Sequence, residues 1–295
     1  MSMENVEKIR REWKIGDDKR DAGLTTPEDI QRYDDISYGP YGIDNLLDVY
    51  VPKGTDKPIP AIISVHGGGW VYGDKNLYQH YCMSLAQRGF AVVNFTYRLA
   101  PENKYPAGLT DCFAVFKWVM EHGKEYFIDT NNLFMVGDSA GAQMTHQCCA
   151  IITNEKYASL FDFEVPEGLK INACALNCGI YVFGVSRLFK PNDMTMMADY
   201  LPQDYKPLLP QFKVIKNTTK DFPPAFVMTA QEDMLKLMAP PLYRHLQKVG
   251  VESEYHIYGE KGNKEVGHVF HVNVKLAEGQ KCNDDECEFF RRHIV

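Results

Sequence analysis

Short, uniformly apolar runs recur along this 295-residue chain, and the sequence between them changes to helical spacing. AIISVH (61–66), AVVNFTY (91–97), LFMVG (133–137), INACALNCG (171–179) and AFVMTA (225–230) are short and leave no polar face, as in strands covered on both sides. LLDVYVP (46–52) and EYHIYG (254–259) alternate instead and read as half-exposed strands that open and close the series. Helical patterns occupy the intervals near 77–89, 106–122, 139–154 and 238–249, with a last one near 284–294. Strands alternating with helices imply parallel neighbours joined by right-handed crossovers. The expected class is α/β, with a mostly parallel central sheet flanked by helices.

Two regions break the alternation. Residues 1 to about 35 are charged and helix-like, and residues 181–220 place aromatics, methionines and prolines between two strands. A connection that long in a compact domain is a lid, a cap or disordered, and the density of Phe, Tyr, Met and Leu argues against disorder. The expectation is one domain, 1–295, carrying a small helical cap from about 1–35 and 181–220.

The formal net charge is −7, with the acidic residues scattered rather than in runs, so a nucleic-acid partner has no electrostatic basis. No apolar stretch approaches the ~18 residues of a membrane span, and the N-terminus has no signal-like apolar region. A soluble, cytoplasmic chain is expected. Of eight cysteines, Cys148, Cys149, Cys174 and Cys178 sit in apolar runs. They read as buried reduced thiols, and Cys174 and Cys178, with neither C-x-x-C spacing nor a nearby histidine, imply no metal.

Function in a parallel sheet collects at the carboxyl ends of strands. GDSAG (137–141) stands at such an end, where the chain turns from strand to helix. A tight turn there brings Gly137 and Gly141 against neighbouring backbone and projects the Ser139 hydroxyl above the sheet. The Ala140 amide and the helix dipole then face any negative charge that forms. HGGGW (66–70) follows the strand 61–66, and three glycines exceed the needs of a simple turn. Their amides suit an oxyanion hole.

A base and an acid are needed as well. His268, in a glycine-containing loop after the last strand, is favoured over His271, which lies deeper in the following helical pattern. His146 and His256 fall within a helix and a strand and read as structural. Asp233, in AQEDML after the strand 225–230, is favoured over Glu232 as the shorter carboxylate further into the loop. The order Ser139, Asp233, His268 suits a nucleophile, an orienting acid and a base.

HGGGWVYGD, YRLAPENKYPAGLTD, GDSAG, EDML and GHVFH together resemble the hormone-sensitive-lipase-like family of α/β-hydrolase carboxylesterases, from about residue 45 to the C-terminus. The resemblance implies an α/β-hydrolase fold and a Ser139, Asp233, His268 triad. It also implies an oxyanion hole from the amides of Gly68, Gly69 and Ala140, with Gly67 as a possible further donor. Tyr97, Arg98, Pro101, Glu102, Pro106 and Asp111 match a family stretch that reads here as a structural turn with paired charges.

The implied activity is hydrolysis of short- to medium-chain acyl esters through an acyl-serine, with no metal or organic cofactor. The partner is a small-molecule ester. Trp70, Tyr72, Met194, Met196, Met197, Tyr200 and Leu201 are candidate pocket or cap residues. Alternatives are an amidase such as an aryl formamidase, a carbohydrate (xylan) acetyl or feruloyl esterase, or, more remotely, a non-catalytic ligand-binding relative.

Overall fold

Every residue of the segments 61–65, 91–95, 133–138, 173–177 and 225–230 is buried, as expected of strands with no wet face. In the computed structural model, which describes residues 3–182 and 191–295, they form the middle of one eight-stranded sheet. Its strands are β1 (Ile30–Ser37), β2 (Leu46–Pro52), β3 (Ile59–Val65), β4 (Ala91–Phe95), β5 (Ile128–Asp138), β6 (Ala173–Asn177), β7 (Ala225–Ala230) and β8 (Ser253–Tyr258). The spatial order is β1-β2-β4-β3-β5-β6-β7-β8. The pairings β1/β2 and β2/β4 are antiparallel and the other five parallel.

The period-2 alternation of each strand divides the core into two layers. Ile62, Val92, Phe134, Ala175 and Phe226 face α2 (Lys75–Ala86) and α9 (Ala277–Arg291), where Phe134 stacks on Phe290 at 4.9 Å. Ile63, Val93, Met135, Leu176 and Val227 face α3 (Ala107–His122), α4 (Ala140–Ile152) and α8 (Ala239–Val249). Register then aligns the carboxyl ends: Val65 pairs with Gly137, and Asp138 with Asn177. His66, Ser139 and Cys178 therefore leave the sheet at one edge.

Between β6 and β7 the described chain includes α6 (Pro191–Tyr200) and a short α7 (Val214–Asn217), after the four-residue α5 (Glu155–Ala158) that follows α4. Residues 183–190 of the expected insert, and the side chain of Met194, lie outside the described residues. At the N-terminus α1 (Met3–Asp21) supplies the expected helix, but residues 30–35 belong to β1 and to the sheet. IQRYDDIS hides its period because, at the sheet edge, only Ile30 is buried and a bulge falls between Tyr33 and Ile36. β5 likewise starts five residues before its apolar run, through the polar IDTNN, and α9 starts seven residues earlier than its expected position. All eight cysteines are free and buried. Among the described residues no helix is long and apolar enough to cross a membrane.

α1 is fastened across the loops that leave β3 and β4. The Arg10 guanidinium meets Glu102 bidentately at 2.7 and 2.8 Å and also donates to the carbonyls of Val71 and Ala100. The Tyr72 hydroxyl donates to Asp17 at 2.6 Å, and Arg20 to the Leu77 carbonyl at 2.8 Å. Beneath, Arg98 forms a bidentate pair with buried Asp111, in keeping with a structural turn.

Candidate active site

β5 ends at Asp138 and α4 begins at Ala140, so Ser139 alone makes the turn, at φ 54 and ψ −117. A non-glycine residue in this region is strained and must be held by its surroundings. The hold comes from the Ser139 amide, which donates to the Asn177 carbonyl at 2.9 Å, and from the close passage of α4 over β3. A Cβ on Gly141 would lie 2.0 Å from the Val65 carbonyl oxygen, so this contact admits only glycine.

Above the turn, His268 Nε2 lies 3.0 Å from Ser139 Oγ, and His268 Nδ1 lies 2.7 Å from Asp233 Oδ1. A carboxylate accepts only, so the imidazole proton is on Nδ1 and Nε2 is free to accept from the serine hydroxyl. Asp233 also accepts from the Thr229 hydroxyl at 2.7 Å and the Leu235 amide at 2.9 Å. Burial works to raise its pKa, but the hydrogen bond and charge of His268, with these two donors, hold it below the usual carboxylate range.

The rival residues lie elsewhere. His271 is fully buried with neither ring nitrogen partnered, and burial pushes its pKa down to about 3. Glu232 accepts from the Gly262 amide on the exposed side of the loop. His146 bonds Thr218 at 2.8 Å, and His256 bonds Glu254 at 2.9 Å.

The HGGGW turn aims its peptides by clamping their carbonyls. In a trans peptide the carbonyl and the following N–H point opposite ways. The Gly67 carbonyl accepts from His66 Nδ1 at 2.7 Å, which fixes the direction of the Gly68 N–H. The Gly68 carbonyl accepts from the Val71 and Tyr72 amides at 3.2 and 3.0 Å, which fixes the Gly69 N–H. Gly68 reaches this geometry at φ 113, and a Cβ there would sit 1.9 Å from the Tyr72 oxygen. His66 is fully buried, and desolvation lowers its pKa to about 4, so it stays neutral with one proton to donate. Among the described residues, no hydrogen bond uses the amides of Gly68, Gly69 or Ala140. The Gly67 amide, the possible further donor, is already committed to the Tyr78 hydroxyl at 3.0 Å.

Ser139 and His268 open into a cavity of about 900 Å³. Trp70, Tyr72 and Met197 are on its wall, with Ile9 and Trp13 of α1 and Met196 of α6. Tyr200 stands behind Trp70, stacked at 4.5 Å, and Leu201 packs on the core; neither is among the described wall residues. Cys178 brings its sulfur within 4.8 Å of the donor atoms of Asp233 and His268, the one grouping of metal-type donors among the described residues. Burial and the Asp233 charge push that thiol well above its ordinary range, so it stays protonated, and the 2.7 Å Asp233–His268 bond fills the space between the other two. The trio does not fit an ion.

Residues 62–272 match the alpha/beta hydrolase fold family. Carboxylesterase NlhH of Mycobacterium tuberculosis is 35% identical over 127 residues, 41% of this chain and 40% of that protein. The chloroplastic tuliposide A-converting enzyme 1 of Tulipa gesneriana is 29% identical over 245 residues, 76% of this chain and 61% of that enzyme. The match thus spans less than two thirds of either relative. Esterase B of Lactobacillus rhamnosis superposes with a TM-score of 0.86 at 26% identity, covering 98% of this chain and 96% of that one. The same esterase, inhibited by a C4-C4 tributyrin phosphonate, gives a TM-score of 0.86 at 25% identity, covering 99% of this chain and 96% of that one.

Proposed function

This chain belongs to the alpha/beta hydrolase fold family, in its hormone-sensitive-lipase-like group, and from that premise we propose that it is a serine carboxylesterase of short- to medium-chain acyl esters. One observation carries the reading. A serine, an imidazole and a carboxylate stand in hydrogen-bond sequence at 3.0 and 2.7 Å, beside three amides that no other group uses among the described residues.

In the proposed reaction His268 Nε2 takes the Ser139 proton as Oγ attacks the ester carbonyl. The carbonyl oxygen becomes an oxyanion that accepts from the Gly68, Gly69 and Ala140 amides. Each such donor typically contributes about 10²- to 10³-fold in rate. Asp233 holds the ring in its Nδ1–H form and stabilises the imidazolium. His268 then protonates the departing alcohol, leaving an acyl-serine. Water, deprotonated by His268, attacks the acyl carbon, and collapse of the second oxyanion releases the acid and restores the Ser139 hydroxyl.

The wall of Ile9, Trp13, Trp70, Met196 and Met197 is apolar and suits an acyl chain. Inhibition of the similar esterase B by a tributyrin phosphonate supports a short-chain preference. α1 and α6 are assigned to the cap, and the eight free thiols fit a reducing, cytoplasmic compartment.

The test is a panel of p-nitrophenyl esters from acetate to decanoate, beside N-formylkynurenine and acetylated xylo-oligosaccharide, with fluorophosphonate labelling. The expected result is turnover highest on C2–C8 esters and a label lost in Ser139→Ala. Faster turnover of the formamide or the acetylated sugar assigns the alternative activity, and an unlabelled native protein sinks the serine mechanism.

A further inference from the structure

The proposed chemistry needs two separate pieces of backbone at a fixed spacing. Ser139 and Ala140 belong to the turn after β5, whereas Gly68 and Gly69 belong to the loop after β3. The carbonyl clamps orient the loop's amides but do not set their distance from the serine. Trp70 Nε1 on the loop donates to Gln143 Oε1 on α4 at 3.1 Å, and a second side chain bonds directly to the residues that flank both pieces. The Tyr78 hydroxyl, on α2, donates to Asp138 Oδ2 at 2.7 Å and accepts from the Gly67 amide at 3.0 Å. Asp138 is the residue immediately before the serine, and Gly67 immediately precedes the two free amides.

The peptide joining His66 to Gly67 is gripped at both ends. Its carbonyl accepts from the Tyr97 hydroxyl at 2.9 Å and its N–H donates to Tyr78. Only the Tyr78 grip continues into the serine turn. Tyr78 is 8% and Asp138 2% exposed, so the direct link is shielded from bulk water although both residues line the cavity. A phenol has one hydrogen, which Asp138 takes, and the lone pairs then face the Gly67 N–H. The chain Asp138–Tyr78–Gly67 is thus satisfied in one direction only.

We propose that Tyr78 is a positioning residue, whose hydroxyl ties the serine turn to the glycine loop and so sets the distance between Ser139 and the Gly68 and Gly69 amides. This rests on the esterase reading above. The hydroxyl touches no reacting atom, so its removal weakens the developing oxyanion's hydrogen bonds and leaves the apolar wall intact. Misplacement by about 1 Å costs on the order of 10²-fold in rate.

The experiment measures p-nitrophenyl butyrate hydrolysis and the affinity of a trifluoromethyl ketone, which forms an oxyanion on the serine. Tyr78→Phe keeps the ring and deletes the hydroxyl. It is expected to lower kcat by roughly 10- to 100-fold, to weaken the ketone in proportion, and to leave KM within about threefold. Asp138→Asn retains an accepting oxygen and is expected to stay within about fivefold of the parent, and the double variant falls no further than Tyr78→Phe. Should Tyr78→Phe not fold, Asp138→Asn is compared with Asp138→Ala: a tenfold gap in kcat supports the link and equal values refute it. A Tyr78→Phe enzyme with kcat within twofold and unchanged ketone affinity overturns the inference alone. Activity surviving in Ser139→Ala overturns the esterase reading, and the inference with it.

Discussion

His268 Nε2 lies 3.0 Å from Ser139 Oγ although 129 residues separate the two in the chain. The contact exists because both side chains leave the sheet at its carboxyl edge, one after β5 and the other on the loop after β8. Ser139→Ala is expected to lower kcat by about 10⁶-fold, and Asp233→Asn, which disturbs the imidazole tautomer, by about 10⁴-fold. KM should change little in either. Steady-state rates on p-nitrophenyl butyrate check this, and an Asp233→Asn enzyme within tenfold of the parent would remove Asp233 from its role.

Ser139 and Asp233 are legible in the sequence because each stands just past a strand whose apolar pattern is strong, whereas His268, ten residues beyond the half-exposed β8, is legible from its place in a glycine-containing loop after the last strand. The link through Tyr78 is not legible. In the sequence Tyr78 is one more aromatic in an amphipathic helix, and its partner Asp138 lies 60 residues away. β1 escapes for another reason: as an edge strand with a bulge it buries one residue and has no apolar period to read. Thr229 is intermediate, since it belongs to a readable strand, but only the turn of the chain brings its hydroxyl back to Asp233 four residues on.

Gly141 carries a packing prediction. Its absent Cβ is what allows α4 to pass the Val65 carbonyl, so Gly141→Ala must push the start of the helix off β3. The cost is expected at about 3 kcal/mol or more, with activity lost in proportion to the serine's displacement. Gly89→Ala is the control: φ is +93 with nothing within 4 Å, so only backbone strain applies, about 1–2 kcal/mol. Urea unfolding of the two variants should differ clearly, and equal losses would show that the Val65 contact yields.

Two fully buried acids make stability fall with rising pH. Burial raises Asp138 from 3.8 to about 7, opposed by the Tyr78 hydrogen bond, and raises Glu286 from 4.5 to about 7, opposed by Asn177 and Tyr81. Below about pH 4 both are protonated in the folded and unfolded chain alike. Between about 4 and 7 the unfolded chain releases protons that the folded one retains, so the advantage of the neutral folded acid is lost as pH climbs through 7. For Asp138 the displacement from 3.8 to about 7 corresponds to about 4 kcal/mol. The parent's urea midpoint should therefore be higher at pH 5 than at pH 8, with a smaller gap in Asp138→Asn or Glu286→Gln. An unchanged gap in both variants excludes these acids as its source.

Met196 presses on the glycine loop from α6: a Cβ on Gly69 would lie 2.8 Å from its sulfur and 3.7 Å from Trp13 Cη2. These two side chains roof the place where the oxyanion is proposed to form. Met196→Ala removes the part of the roof that comes from α6 and should admit longer acyl chains. The ratio of kcat/KM for octanoate over butyrate is expected to rise by about tenfold, within the 1–3 kcal/mol that one or two methylenes typically gain in an apolar pocket. An unaltered ratio would place the acyl chain elsewhere in the cavity.

Trp13 comes from α1, and α1 depends on Arg10. Its guanidinium joins the helix to Glu102 and to the Val71 and Ala100 carbonyls at 2.7 and 3.1 Å, on the loops leaving β4 and β3. The Glu102 pair is partly exposed and, taken alone, adds at most about 1 kcal/mol. The two carbonyl bonds are less exposed and give the contact its direction. Arg10→Ala should loosen α1 without unfolding the sheet, because Tyr72–Asp17 and Arg20–Leu77 still hold its C-terminal half. The wall lent by Ile9 and Trp13 then becomes mobile, while Ser139, His268 and the glycine amides keep their places. KM is expected to rise by roughly three- to tenfold with kcat nearly constant, the pattern of lost uniform binding. Arg10→Lys should recover little, since an ammonium lacks the planar fork that reaches Glu102 and two carbonyls together. A fall in kcat at constant KM would instead show that α1 acts on the reacting groups.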